Sequence, residues 1–105
     1  MKTIEDFISA INDRRFIEAH EILEHSWIAL KRSGNLDEAR TQKGLINAAT
    51  ALGLILQKNR PEAGKKLWER YAQKYPPLID ACVSEDGELY RRAAEMLEDA
   101  WGRLG

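Results

Sequence analysis

The sequence predicts an all-α fold, a compact bundle of five to six helices around a central helix rich in small residues. Three observations carry that prediction. Apolar residues recur at i, i+3, i+4 and i+7 through most of the chain, which is the spacing of one helix face. No stretch shows the strict apolar–polar alternation of a half-buried strand. The strongest breakers, Asn12-Asp13, Gly34-Asn35, Asn59-Arg60-Pro61 and Pro76-Pro77, stand about a helix length apart.

Each element follows from its own residues. Thr3 with Asp6 resembles a capping box, and Ile4, Phe7, Ile8 and Ile11 then make a short amphipathic first helix. The second helix is expected from about Arg15 to Arg32, stopped by Gly34-Asn35, residues suited to positive φ. Asp37 is the expected N-cap of the third helix, which runs to about Lys58. From Gly44 to Leu54 that helix is apolar almost all round and mostly small, the composition of a central element with close neighbours. Glycine in a helix interior costs up to about 1 kcal/mol, so close packing is the expected compensation.

Pro61 suits the first position of a fourth helix, whose apolar side is Leu67, Trp68, Tyr71 and Tyr75. Pro76-Pro77 should end it, leaving Leu78 to Val83 as one turn or a short sixth helix. Ser84 or Asp86 then caps a last helix through Leu104. Its stripe is Leu89, Ala93, Leu97, Ala100 and Leu104, with Trp101 beside it. At 105 residues the chain is expected to be a single helical domain, 1–105, long enough to bury a core without staples.

Charge and apolar pattern exclude several function classes. The chain carries 16 Lys and Arg against 17 Asp and Glu, so it lacks the basic excess that phosphate binding needs. The pairs Arg14-Arg15, Lys65-Lys66 and Arg91-Arg92 are each surrounded by acids, and no nucleic acid is expected as a partner. The longest apolar run, Leu45 to Leu56, is interrupted by Asn47, Thr50 and Gly53. It falls short of the roughly 18–20 residues that span a bilayer, so no membrane is expected. Cys82 stands alone and cannot form an internal disulfide. The first residues carry Glu5 and Asp6 without a continuous apolar core, unlike a signal peptide, and the expected location is cytoplasmic. The partners expected instead are a small-molecule ligand of unknown identity, or a protein partner or second copy of the chain in a homo-oligomer on an outer surface.

The second helix holds the one unexpected pattern. On a wheel of about 100° per residue with Phe16 at zero, Leu23 falls near −20°, Trp27 near +20° and His20 near +40°. Ile17 and Ile28 lie near +100° and +120°, and Glu24 falls between them and His20, near +80°. The pattern thus places an imidazole and a carboxylate in an arc expected to be core, and His25 on the opposite, wet face. Burying a polar group without a partner costs about 1–3 kcal/mol, more if it is charged. His20 and Glu24, four residues apart, can satisfy one another. Trp27 would wall their site, and Asn47 of the third helix is a candidate ligand-binding donor beside it.

Imidazole nitrogen and carboxylate oxygen both suit a divalent metal ion such as zinc, so His20 and Glu24 are candidate metal ligands. A catalytic zinc normally takes three protein ligands. Asp80, Cys82, Glu85 and Asp86 could complete a set by chemistry alone. Known metal motifs are not matched: His20-Glu21-Ile22-Leu23-Glu24 has glutamate where the zincin motif needs a second histidine.

The string from Phe16 to Trp27, Phe-Ile-Glu-Ala-His-Glu-Ile-Leu-Glu-His-Ser-Trp, closely resembles the bacterial and archaeal family called domain of unknown function 309. The family signature is a histidine, three residues, a glutamate, two residues, then tryptophan or tyrosine, which His20, Glu24 and Trp27 match. A second family block, Gln-Gly-Leu-Ile-Gln followed by alanines, resembles Lys43-Gly44-Leu45-Ile46-Asn47-Ala48-Ala49. The resemblance covers about residues 12 to 70 and implies a small all-helical protein whose histidine and glutamate have been suggested to bind metal. Gly53 and Leu54 stand where relatives often carry an aromatic or a histidine, so the resemblance supplies no second imidazole. A Gly-Ala pair usual in the next helix is replaced around Glu62-Ala63.

Two functions follow. In one, the protein is a metal- or ligand-binding protein, with or without catalysis, built on His20, Glu24, Trp27 and Asn47. In the other it is a helical interaction or structural module in which the His–Glu pair only fixes helix packing.

Overall fold

The computed structural model describes residues 3–104, and its helices are α1 (Thr3–Asn12), α2 (Phe16–Ser33), α3 (Leu36–Leu56), α4 (Pro61–Asp80) and α5 (Gly87–Gly102). Among the described residues there is no strand.

α3 is the centre, as its composition predicts. It packs against α2, α4 and α5, while α1 closes the bundle against α2 and α5. Leu45, Ala48, Ala49, Ala51 and Leu52 of α3 are fully buried, beside Phe7, Leu23, Tyr71 and Leu97 from the helices around it. Fully burying a leucine or phenylalanine side chain contributes about 1.5–3 kcal/mol. Two glycines of α3 explain how neighbours come so near. A Cβ on Gly44 would stand 2.7 Å from the Tyr75 ring, and one on Gly53 would stand 2.5 Å from Cδ1 of Ile17. These contacts fix α4 on one side of α3 and α2 on the other, both antiparallel to it.

The connections are short and made by the chain itself. Gly34 adopts φ 83° after α2. Its N–H reaches the Lys31 carbonyl, and the Asn35 N–H reaches the Leu30 carbonyl at 3.0 Å, the paired bonds of a Schellman turn. The turn after α1 has the same two bonds, from Arg14 to Ile11 and from Arg15 to Ala10, with Arg14 held at φ 61°. Asparagine takes the left-handed position after α3, where Asn59 has φ 53°.

Four expectations are corrected. Thr3 lies inside α1 rather than before it. Asn35, not Asp37, precedes α3, and of the pair Gly34-Asn35 only the glycine has positive φ. α4 does not end at Pro76-Pro77 but continues to Asp80, absorbing the segment expected to be separate. The two prolines forfeit amide bonds toward the carbonyls of Ala72 and Gln73, whose side chains are exposed, so water can satisfy them. Ile79, 1% exposed, anchors the turn beyond them. The last helix ends at Gly102, and Leu104 is exposed rather than part of the core stripe.

A buried polar network ties α3 to α5. Tyr90 donates its hydroxyl hydrogen to the Glu38 carboxylate and accepts a 2.9 Å bond from Nε2 of Gln42. Tyr90 is 1% exposed and Gln42 3%. Across α4 and α5, Tyr71 donates to Oε2 of Glu98 at 2.6 Å, and Trp68 stacks on Trp101 with ring centres 4.5 Å apart. Burial first, and then the carboxylate that takes each hydrogen bond, hold both hydroxyls well above the ordinary tyrosine range.

Candidate functional site

The core face of α2 is centred on Phe16, Ala19 and Leu23, with Ile22 and Trp27 packed partly against it. On the wheel that arc lies near −40°, not between zero and +120° as the aliphatic pattern suggests. Ile28 is 37% exposed. His20 and Glu24 therefore sit on the edge of the α2–α3 seam rather than inside the core. The His20 side chain is 26% exposed and that of Glu24 48%. His25 is exposed, on the wet face expected for it.

The two side chains do meet. Nε2 of His20 lies 3.2 Å from Oε2 of Glu24, and Nδ1 lies 3.2 Å from the Ile17 carbonyl oxygen. Each polar partner belongs to α2, so the imidazole is oriented by its own helix. Both contacts can be hydrogen bonds at once only when both ring nitrogens carry protons. If Nδ1 alone is protonated, the Nε2 lone pair faces a carboxylate, and a proton, a cation or a water donor would satisfy both.

α3 supplies the opposite bank. Ile17 packs on Gly53 and its N–H bonds Oε1 of Gln57, while Lys43 reaches over the Trp27 ring. Counted from the Ile17–Gly53 contact, the antiparallel register sets His20 level with Thr50 and Leu23 level with Asn47. Asn47 is half-buried, and its amide has no hydrogen-bond partner among the described residues. Thr50 donates to its own helix, to the Ile46 carbonyl at 2.7 Å.

Trp27 faces a different neighbourhood from the one expected. It is half-buried and lines a cleft of about 230 Å³ with Lys31, Leu36, Ala39, Arg40, Lys43 and Tyr75. Neither His20, Glu24 nor Asn47 lines that cleft. The ammonium groups of Lys31 and Lys43 each lie 4.4 Å from the centre of the indole. These lysines were not legible as site residues. Lys31 follows Trp27 at i+4, a signal too common to select it, and Lys43 joins only through the hairpin.

The further metal-ligand candidates do not join His20. Asp80, Cys82, Glu85 and Asp86 lie at the end of α4 and in the loop beyond. Cys82 and Glu85 line a 560 Å³ cavity with Asn35, Asp37 and Glu38, at the start of α3. From there to the level of His20 is about 18 Å of helix rise. Among the described residues, no group of three or more His, Cys, Asp or Glu could hold a metal ion. His20 and Glu24 thus offer two donors of suitable chemistry and no third from the described residues, one fewer than an open catalytic zinc normally takes.

A helical bundle with a half-exposed His–Glu couple at the edge of its second and third helices is the class of protein that fold and site define. Over residues 4–67, from α1 into α4, the chain matches the family model described as Domain of unknown function (DUF309), and it belongs to that family. No curated protein and no solved structure matches it. No described helix is long and apolar enough to cross a membrane.

Proposed function

We propose that this is a ligand-binding protein and that the His20–Glu24 couple is its cation-binding element. What supports this reading is the orientation of the ring. The Ile17 carbonyl accepts from Nδ1–H, which leaves Nε2 aimed at Oε2 of Glu24. Ligating histidines are commonly oriented in this way, by donation of the other ring N–H to a backbone carbonyl. A proton satisfies the gap, and so does a divalent ion such as zinc. Water would supply the remaining coordination positions. Asn47, about one turn of α3 from Thr50, would donate to an oxygen of that shell, while Trp27 serves the neighbouring cleft.

The couple also makes a poor clamp between helices. Among the described residues every polar contact of His20 and Glu24 is within α2, so the pair does not tie α2 to a neighbour. That favours ligand binding over the packing role.

The experiment is a zinc titration of untagged protein against a chromophoric chelator, with the histidine ring signals followed by NMR. One equivalent of zinc should shift the His20 ring. His20→Ala should abolish the binding and Glu24→Gln should weaken it about tenfold or more, since the one charged donor is lost, with helicity unchanged. Binding that survives both substitutions, or that follows His25→Ala or Cys82→Ser instead, overturns the proposal.

A further inference from the structure

We infer that the cleft between Trp27 and Tyr75 is a binding site for a small organic anion, a single ring or short apolar body bearing a carboxylate or phosphate. This does not rest on the cation-binding proposal, because His20, Glu24 and Asn47 do not line the cleft and the charge it selects is opposite.

The shape comes first. The cleft holds about 230 Å³. An engineered apolar cavity of about 150 Å³ accepts benzene, so this space admits one ring and an acid group. Its walls are the Trp27 and Tyr75 rings. Ala39, 2% exposed, lies at its base, and Leu36, 50% exposed, stands on its rim. Leu36 is a large apolar side chain left in water at a helix start, where a ligand would cover it.

Charge decides what the ligand is. Lys31 and Lys43 each place an ammonium 4.4 Å from the same indole centre, so the two lie no more than twice that distance apart. Neither is within ion-pair distance of a carboxylate among the described residues. The ring quadrupole attracts each cation, and the two repel one another. Arg40 adds a guanidinium to the lining, held only by an exposed 3.4 Å contact with Asp37. Lys74 adds a fourth cation over the Tyr75 ring, 5.4 Å from its centre. In a chain whose net charge is −1, three of these cations, Lys31, Arg40 and Lys43, line one aromatic cleft. A ligand anion relieves the repulsion between Lys31 and Lys43, and the ligand's body replaces water against the two rings. A cation or a neutral polyol gains neither.

The test follows the Trp27 indole N–H by NMR during titration with phenyl phosphate, benzoate, inorganic phosphate and benzyl alcohol. Phenyl phosphate or benzoate should shift that signal saturably and bind about tenfold or more tighter than benzyl alcohol, a difference of one charge-assisted contact. The two anions together report whether the site prefers phosphate or carboxylate. Lys31→Gln and Lys43→Gln should each weaken binding about fivefold, added salt should weaken it further, and Lys58→Gln should leave it unchanged. The inference is overturned if benzyl alcohol binds as tightly as both anions, if inorganic phosphate binds as tightly as phenyl phosphate, or if the double lysine variant keeps full affinity.

Discussion

The His20–Glu24 couple and the Glu38–Tyr90–Gln42 network are both polar, yet one is local and wet and the other is long-range with a dry centre at Tyr90 and Gln42. His20 and Glu24 stand four residues apart on one helix and share the seam edge with solvent. Tyr90 reaches Gln42 across 48 positions of sequence and Glu38 across 52, with Tyr90 and Gln42 buried and the half-buried Glu38 at the outer end. The couple can be exchanged for water at little cost and so is free to serve a ligand. The Tyr90–Gln42 part of the network cannot, because those two buried groups would otherwise be desolvated without a partner. A polar pair that looks expensive in sequence is thus the cheap one in the fold, and the expensive one is invisible until the helices meet.

The sharpest way to break that comparison is Tyr90→Phe. It removes the hydroxyl and leaves the Gln42 amide and the Glu38 carboxylate without their shared partner, while Oε1 of Gln42 already has none among the described residues. The expected loss is about 2–3 kcal/mol, read by urea unfolding, with a melting temperature lower by about 10 °C. A loss under about 0.5 kcal/mol would mean that water enters the network and that it is no drier than the seam.

The same contrast has a pH signature. Both Tyr90 and Tyr71 have hydroxyls pushed up by burial and by an accepting carboxylate. A group whose pKa is higher in the folded than in the unfolded state binds its proton more tightly when folded. Its contribution is therefore complete below the unfolded tyrosine value of about 10 and is lost as pH rises above it. Stability should hold from neutral pH to about 10 and then fall by up to about 1.4 kcal/mol per pH unit for each tyrosine. Unfolding of the Tyr71→Phe and Tyr90→Phe double variant should show a shallower alkaline limb. An identical limb would assign the loss to other groups.

What the sequence reveals divides along the same line. Helix number, the central place of α3 and the close approaches at Gly44 and Gly53 follow from periodicity and residue size, which are local properties. The passage of α4 through Pro76-Pro77 does not, because Ile79, the side chain that holds the turn beyond them, gains its burial from other helices. The meeting of His20 with Glu24 is legible, since i+4 neighbours meet on any helix. Its exposure is not. Ile17 and Ile28 pull the expected core arc toward the couple, but Ile17 is used against Gly53 and Ile28 is left in water. Lys43 beside Trp27 depends on the hairpin register, which no single helix encodes.

The smallest expected effect is the most informative about the seam. His20→Ala removes an imidazole that is 26% exposed and bonded only within its own helix. Exposed i,i+4 ion pairs contribute about 0.3–0.5 kcal/mol, so the melting temperature should fall by no more than about 4 °C. Alanine is also the best helix former, which offsets part of that loss. Thermal unfolding by circular dichroism, run beside the Tyr90→Phe variant, measures both. A His20→Ala loss above about 1.5 kcal/mol would place the imidazole among the groups that hold the bundle together, and the packing role would then displace ligand binding. A loss within the expected range, joined to disappearance of zinc binding, would separate the two regions by function: one polar arrangement kept for the fold, the other kept open for what the protein binds.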